Sequence, residues 1–310
     1  QLDNVDRPRA LEGEVLVRVS SAALNFPDVL MIQGTYQVRP PLPFIPGIEV
    51  AGVVEELGPG AKGPTPGTRV MAQCGMGGFA EFVAVPEVAV APIPESMSDH
   101  EAAAFALVYQ TSYFGLAYRG ALRPGETVLV HSAAGGVGLA AVQIARAMGA
   151  GKIIGTAGSD DKLELIRQNG ADVAVNYQTG NFVDVVKAET NGAGADVVYD
   201  PVGGQIAELS TKCIAFEGRL VIIGFTSGQI PTFKGNHILV KNYSVVGLHW
   251  GYYRQMKPEK IQQGWRELMD LYQRGGLKPH IGGVYPMDRV ADAMEHLLSR
   301  KAVGKIVLDW

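Results

Sequence analysis

His131-Ser-Ala-Ala-Gly-Gly-Val-Gly138, continued by Leu139-Ala-Ala-Val-Gln-Ile-Ala-Arg-Ala-Met-Gly149, is the stretch whose reading decides the fold. Upstream, Glu126-Thr-Val-Leu-Val-His131 is a short apolar run of buried-strand character. Downstream, Val137, Ala141, Ile144, Ala145 and Met148 recur at helical spacing until Gly149 ends the helix. A strand therefore passes through glycines into a helix. In such a turn Gly135 lets the backbone come close to a diphosphate and Gly138 lets the helix pack tightly on the strand. The N–H groups and positive dipole at the helix start favour an anion. Ala134, Gly135, Gly136, Val137 and Gly138 are thus the candidate dinucleotide-binding residues. Ala133 stands where the usual fingerprint has its first glycine, so the motif alone is of moderate specificity, and a turn that binds nothing is the bland alternative.

The surroundings favour the binding turn. Lys152-Ile-Ile-Gly-Thr-Ala157 reads as the next strand and completes a strand-helix-strand unit of the required length. An acidic residue normally ends this strand to hold the 2′-hydroxyl of NAD, but Ala157, Gly158 and Ser159 stand there instead. Asp160 and Asp161 fit the first turn of a helix capped by Ser159 better than they fit a ribose. Lys162 follows at once, and Tyr177 closes the strand Asp172-Val-Ala-Val-Asn-Tyr177. A small end-of-strand residue leaves room for a 2′-phosphate, which Ser159, Lys162 and Tyr177 are placed to bind, so NADP is the expected cofactor. Gly224 and Phe225, ending a later strand, join the expected cofactor contacts.

With 310 residues and 47% hydrophobic content, the chain is long enough for two cores. A net charge of −4 gives no electrostatic case for nucleic acid or an anionic membrane as partner. No apolar run approaches the roughly 18 residues that span a bilayer. Cys74 and Cys213 lie far apart in sequence, so neither a disulfide framework nor a clustered metal site is expected, and a reducing cytoplasm is the simplest home. The chain opens at Gln1 rather than methionine, leaving room for a leader upstream.

Residues 1 to about 90 are rich in glycine, proline and short strands: Glu14–Val19, Gly47–Val54, Thr68–Met71 and Phe79–Val85. A helix from Ser98 through Ala106 and a second around Thr111–Tyr118 lead to the glycine turn. Six strands near 127–131, 152–157, 172–177, 196–200, 219–225 and 243–248 then alternate with helices that include 181–189 and 205–214. That pattern gives an α/β fold, a doubly wound parallel sheet of Rossmann type. Helices near 259–273 and 289–298 and a last strand at 304–309 are free to return to the first domain.

Several motifs in order carry a resemblance over nearly the whole chain: Asn25-Phe-Pro-Asp28, Gly34-Thr-Tyr36, Pro46-Gly-Ile-Glu49, Tyr109-Gln-Thr-Ser-Tyr113, Ala133-Ala-Gly-Gly-Val-Gly138, Asp200-Pro-Val-Gly-Gly204 and Gly304-Lys-Ile-Val-Leu308. With them the chain is similar to the zinc-independent, zeta-crystallin-type NADPH:quinone oxidoreductases of the medium-chain dehydrogenase/reductase superfamily. The resemblance implies a GroES-like, β-rich catalytic domain formed by residues 1–108 and 250–310, and a Rossmann NADP-binding domain at 109–249, with the active site in the cleft between them. It also implies a homodimer pairing through the strand Tyr243–Leu248. Zinc-dependent relatives place metal ligands at positions that here are Asn25, Ile48 and Leu107, so no metal is expected.

Without a Lewis acid, the protein need only position an electrophile, stabilise oxyanion charge and supply a proton to a product reduced by hydride. Asn25 is a candidate hydrogen-bond donor to the acceptor carbonyl or the nicotinamide ribose, with a satisfied turn asparagine as its alternative. Tyr36 sits in a stretch resembling zinc-free 2-enoyl-thioester reductases, in which the matching tyrosine is the proton donor; a loop tyrosine covering the site is the alternative. Asp28, Tyr109, Trp250 and Tyr252, with Tyr253, are candidate walls of the substrate pocket, Asp28 being structural rather than an acid catalyst and the aromatics having ordinary packing or a subunit interface as their alternative. His131 reads as a core histidine. Arg300 and Lys305 lie where the family brings its C-terminal segment to the cofactor phosphates, with a solvated surface pair as the alternative. The expected activity is NADPH-dependent reduction of a quinone or an α,β-unsaturated carbonyl. An enoyl-thioester reductase and a catalytically weak NADPH-binding structural or regulatory protein are the rivals.

Overall fold

The computed structural model describes residues 2–310. β1 (Glu14–Leu24) leads into α1 (Phe26–Ile32), and β2 (Val50–Leu57), β3 (Arg69–Ala72), β4 (Phe82–Pro86) and β5 (Val90–Pro92) follow. α2 (Asp99–Tyr113) runs into a π-helical turn at Phe114–Arg119. The next elements are β6 (Thr127–Val130), α3 (Gly136–Ala147), β7 (Lys152–Ala157), α4 (Leu163–Gln168), β8 (Val173–Asn176), α5 (Phe182–Glu189), β9 (Ala195–Asp200), α6 (Gly204–Ser210) and β10 (Ile214–Ile222). The chain closes with α7 (Gly235–Lys241), β11 (Ser244–Gly247), α8 (Trp250–Met256), α9 (Pro258–Gln273), β12 (Ile281–Pro286), α10 (Val290–Leu298) and β13 (Lys305–Asp309).

These elements divide into two compact units. One comprises residues 1–107, 254–265 and 279–310; the other comprises 108–253 and 266–278. The sequence suggested one return to the first domain near residue 250, whereas the chain alternates. Residues 266–278 stay with the second unit because Glu267 accepts the Tyr113 hydroxyl hydrogen at 2.6 Å and the Lys278 N–H donates to Gln143 Oε1 at 2.9 Å.

In the first unit the sheet runs β12-β13-β1-β2-β3-β5, with β4 also on β1. Every pair is antiparallel except β12 with β13. β1 outlasts its expected end at Val19 because Ser21 to Leu24 pair with Asp309 to Ile306, a partner nearly three hundred residues downstream. Val15, Val17, Leu24, Val50, Val70, Val85, Ile306 and Leu308 form its core.

The second unit is built on an all-parallel sheet in the order β11-β10-β9-β6-β7-β8. Strand order reverses between β6 and β9, and the crevice at the carboxyl ends of such neighbours is where doubly wound sheets bind ligands. The expected helix over 205–214 stops at Ser210. Ile214 instead opens β10 beside Ala195, and a bulge follows before the pairing resumes at Arg219 with Val197. The two helices expected before the glycine turn are one, α2, since no glycine or proline interrupts Asp99–Tyr113. Among the described residues no helix is long and apolar enough to cross a membrane.

Candidate functional site

In the second unit, β6 ends in a turn at 131–134 and Gly135 caps α3 in extended conformation. Ser132 holds a left-handed φ of 51°, and its carbonyl accepts the Gly135 N–H at 2.9 Å. A Cβ on Gly138 would lie 2.1 Å from that same carbonyl oxygen, so the first turn of α3 closes onto the loop only with glycine there. The first N–H groups of α3, beginning at Gly136, have no partner within the helix and are available to an anion. Ala133 keeps its methyl because the adjacent strand gives way. A Cβ on Gly155 of β7 would come within 2.9 Å of the Ala133 Cβ and 2.5 Å of Ile166 Cγ2. Ser112 donates to the Val137 carbonyl at 2.9 Å and accepts from the Tyr199 hydroxyl at 2.9 Å, tying α3 to α2 and β9.

The expected 2′-phosphate residues gather at the ends of β7 and β8. Ala157 pairs with Asn176, and Tyr177 N–H donates to the Ala157 carbonyl at 3.0 Å. The Tyr177 hydroxyl lies over Gly158, where a Cβ would stand 2.9 Å from its oxygen. Ser159 opens the turn Asp160–Lys162, and Asp160 faces β8 by accepting from Asn176 Nδ2 at 3.0 Å. Lys162 is half-buried, and that burial moves its ammonium below the ordinary lysine range. Across the switch point Asp200 is fully buried and accepts the N–H groups of Val202 and Gly203, while burial raises its carboxyl to about 6. Gly224 and the exposed Phe225 follow β10, with Phe225 packed over Gly203.

His131 is a core histidine. Its Nδ1 meets Thr156 Oγ1 at 3.0 Å and its Nε2 meets Ser210 Oγ at 2.7 Å. Because Ser210 spends its hydrogen on the Ile206 carbonyl, Nε2 is the protonated nitrogen. Burial takes the imidazole down to about 3.

The expected pocket walls are partly reassigned. Tyr109 is buried, and its hydroxyl donates to Gln143 Oε1 at 2.7 Å, so it braces α2 on α3. Trp250 and Tyr253 pack edge-on against Phe114, in one aromatic cluster. Tyr252 is exposed and stacks on His249.

In the first unit the polar residues close into a buried network. Lys305, 5% exposed, donates to the Leu24 carbonyl at 2.8 Å, Asn25 Oδ1 at 2.6 Å and Glu49 Oε1 at 2.8 Å. Asn25 Nδ2 donates to the Ala23 carbonyl and to Glu49 Oε1, and Glu49 Oε2 accepts the Leu107 N–H at 2.6 Å. Asp28 accepts the N–H groups of Asn25 and Gly47. Three expectations change as a result. Lys305 spends its three ammonium hydrogens inside the unit and has none for a cofactor phosphate, and both amide hydrogens of Asn25 are likewise taken. Arg300 is exposed, in a left-handed turn after α10. Asp28 is a fully buried brace and not a pocket wall; burial lifts its carboxyl to about 7, against the opposing pull of its backbone donors and Lys305.

Tyr36 lies just beyond α1, its N–H donating to the Leu30 carbonyl at 3.2 Å. Burial, then the charge of Asp28, pushes its phenol above the ordinary tyrosine range, so it is protonated at neutral pH. Sequence reasoning quoted Glu49 without giving it a role and passed over Arg254, which donates to the Gln73 carbonyl beside the Cys74 thiol. An acid in the apolar strand Gly47-Ile-Glu-Val-Ala51 was the available signal, since a buried carboxylate needs a cation.

A zinc ion does not fit this set. Asn25 and Glu49 are engaged, Ile48 and Leu107 offer no side-chain donor, and the Cys74 thiol donates to the Gly47 carbonyl at 3.3 Å while burial pushes its pKa up. Among the described residues no three His, Cys, Asp or Glu side chains gather as a metal site.

Residues 11–95 match the family model described as alcohol dehydrogenase GroES-like domain, and residues 136–274 match the one described as zinc-binding dehydrogenase. The chain is 40% identical over 299 residues to the quinone oxidoreductase-like protein 2 homolog of Nematostella vectensis, covering 96% of this chain and 82% of that one. Among solved structures, it resembles the quinone oxidoreductase of Thermus thermophilus, solved also in complex with NADPH, at 37% identity and a TM-score of 0.88 over 100% of this chain and 96% of that one. It resembles the CurK enoyl reductase at 30% identity and a TM-score of 0.90 over 99% and 94%.

Proposed function

The chain belongs to the quinone oxidoreductase family of the medium-chain dehydrogenase/reductases, and from that premise we propose that it is an NADPH-dependent reductase of quinones or α,β-unsaturated carbonyls that works without zinc. The observation that carries the reading is the glycine turn. Gly138 closes α3 onto Ser132 where no side chain fits, and Gly158 leaves space beneath the Tyr177 hydroxyl at the adjoining strand end. Gly135 to Gly138 would hold the diphosphate, with Ser159, Lys162 and Tyr177 on the 2′-phosphate. When bound, the cofactor supplies a hydride.

Tyr36 supplies the proton that an enolate needs after hydride addition. It is protonated at working pH, as a proton donor has to be. Asn25, Asp28, Glu49 and Lys305 hold the start of α1, and Tyr36 hangs from the end of that helix, so the network is a positioning device for it. Of the expected contacts, the exposed Tyr252 is kept for the acceptor pocket on its aromatic character and Arg300 for the cofactor phosphates on the family resemblance, whereas Trp250 belongs to the Phe114 cluster. The likeness to an enoyl reductase favours enoyl thioesters as the second acceptor class. We assign a homodimer to the open edge of β11, whose Val245 and Val246 stand half-buried on an unpaired ladder. Light scattering at micromolar concentration tests it, a monomer refuting the pairing.

The test of function is oxidation of NADPH, followed at the nicotinamide absorbance, with quinones, enones and enoyl thioesters in wild type and Tyr36→Phe. Enone reduction is expected to fall at least about tenfold in the variant, since a placed acid is worth about 10²–10⁴ in rate. Quinone reduction should hold, because a hydroquinone anion takes its proton from water. No oxidation of NADPH with any acceptor would overturn the reading.

A further inference from the structure

At the end of the parallel sheet remote from the glycine turn, a cavity of about 270 Å³ is lined by Lys187, Lys212, Lys241, Cys213, Ile214 and Phe216. The lysines come from three successive connections: the last turn of α5, the link between α6 and β10, and the last turn of α7. They share one floor. Lys241 Nζ is anchored on the Thr211 carbonyl at 2.9 Å, and the charges of Lys187 and Lys241 both reach the buried Cys213 thiol. No carboxylate lines the cavity, although acids outnumber lysines and arginines by 31 to 27 in the chain. Among the described residues Lys187 and Lys212 have no acidic partner, whereas nearby Lys152 is paired with Glu189. Like charges gathered without counter-charge repel, and an anion relieves the repulsion.

The rim carries a second, independent feature. The bulge of β10 turns Phe216 outward to 70% exposure, on a backbone in which Glu217 adopts a left-handed φ of 58°. The Glu217 N–H donates to the carbonyl of Asn242, itself left-handed at φ 53° after α7. A bulge commonly re-aims a side chain, and strained backbone in ordered structure is a pointer to function. The packing of this unit gains nothing from an exposed phenyl ring beside three ammonium groups.

We propose that this cavity is a binding site for the phosphate group of a small phosphorylated ligand, separate from the nucleotide turn, with Lys187, Lys212 and Lys241 on the phosphate and Phe216 against an adjoining flat apolar moiety. The volume admits more than a bare phosphate. The inference does not depend on which acceptor the protein reduces.

The test is calorimetric titration of the full chain, kept saturated with NADPH so that the nucleotide turn is filled. The probes are inorganic pyrophosphate and, separately, phenyl phosphate. One pyrophosphate per chain should bind, more weakly as salt rises, and at least tenfold more weakly in Lys187→Ala/Lys212→Ala, whose surface positions leave folding intact by circular dichroism. Phe216→Ala should weaken phenyl phosphate severalfold and leave pyrophosphate unchanged. Absence of pyrophosphate binding to the wild type, or equal binding to the double variant, would overturn the site and leave the lysines as partners of helix C-terminal dipoles alone. Sedimentation with phosphatidylcholine vesicles, with and without phosphatidylinositol phosphate, tells the source. Lysine-dependent binding to the phosphorylated vesicles alone identifies a lipid headgroup, and none, with pyrophosphate binding intact, identifies a free phosphate ester.

Discussion

Replacing Lys305 by methionine removes one ammonium from a place where nothing can take over its work. Its three bonds, to the Leu24 carbonyl, Asn25 Oδ1 and Glu49 Oε1, all lie inside the first unit, and Glu49 is wholly buried. Methionine fills much the same volume, so little of the effect is a cavity. What remains is a carboxylate in the interior with only Asn25 Nδ2 and the Leu107 N–H to hold it. Breaking a buried pair in this way costs about 3–5 kcal/mol. At a slope of about 3 kcal/mol per molar urea, the upper end of the usual range and the one suited to a chain of 310 residues, that lowers the unfolding midpoint by roughly 1–2 M. Urea titration followed by tryptophan fluorescence measures it, with Lys305→Met/Glu49→Gln as the control. The double variant should recover at least half of the loss, because the stranded charge has gone with its partner. A single variant within about 1 kcal/mol of the wild type, or a double variant as weak as the single, would refute the network as drawn.

Gly138→Ala should abolish NADPH binding by forcing the first turn of α3 off Ser132, while leaving the first unit folded; fluorescence titration with retained affinity would count against the turn. Lys162→Ala should weaken NADPH roughly 10- to 100-fold and leave NADH little changed, the cost of one charge-assisted hydrogen bond being about 1.5–3 kcal/mol, and equal loss for both would sink the 2′-phosphate assignment. The His131 imidazole should stay neutral in the folded protein until about pH 3. Since its folded value lies below the unfolded one, its contribution to stability is present above the ordinary histidine range and is lost as pH falls from there toward about 3. A proton NMR titration with a midpoint near the ordinary value would contradict the burial.

The parallel sheet was legible because each of its strands is a short apolar run between turn signals, and local pattern suffices for that. What escaped was non-local. The second half of β1 is a strand on account of β13, and α1, α7 and α8 were not foreseen, each being only seven residues long. The site divided along the same line. Backbone-made features, the glycine turn and the small residues after β7, could be read from residue type alone. Side-chain features could not: Lys305 was expected at the cofactor phosphates because nothing in Gly304-Lys-Ile-Val-Leu308 reveals that it faces Glu49.

The missing first glycine of the fingerprint is answered by a bare backbone in the neighbouring strand. A Cβ on Gly155 would meet Ile166 Cγ2 at 2.5 Å and the Ala133 methyl at 2.9 Å, so two neighbours close on one point of β7. Restoring glycine at position 133 would therefore relieve only the milder of the two clashes, and a side chain at Gly155 fits only when Ile166 gives way as well.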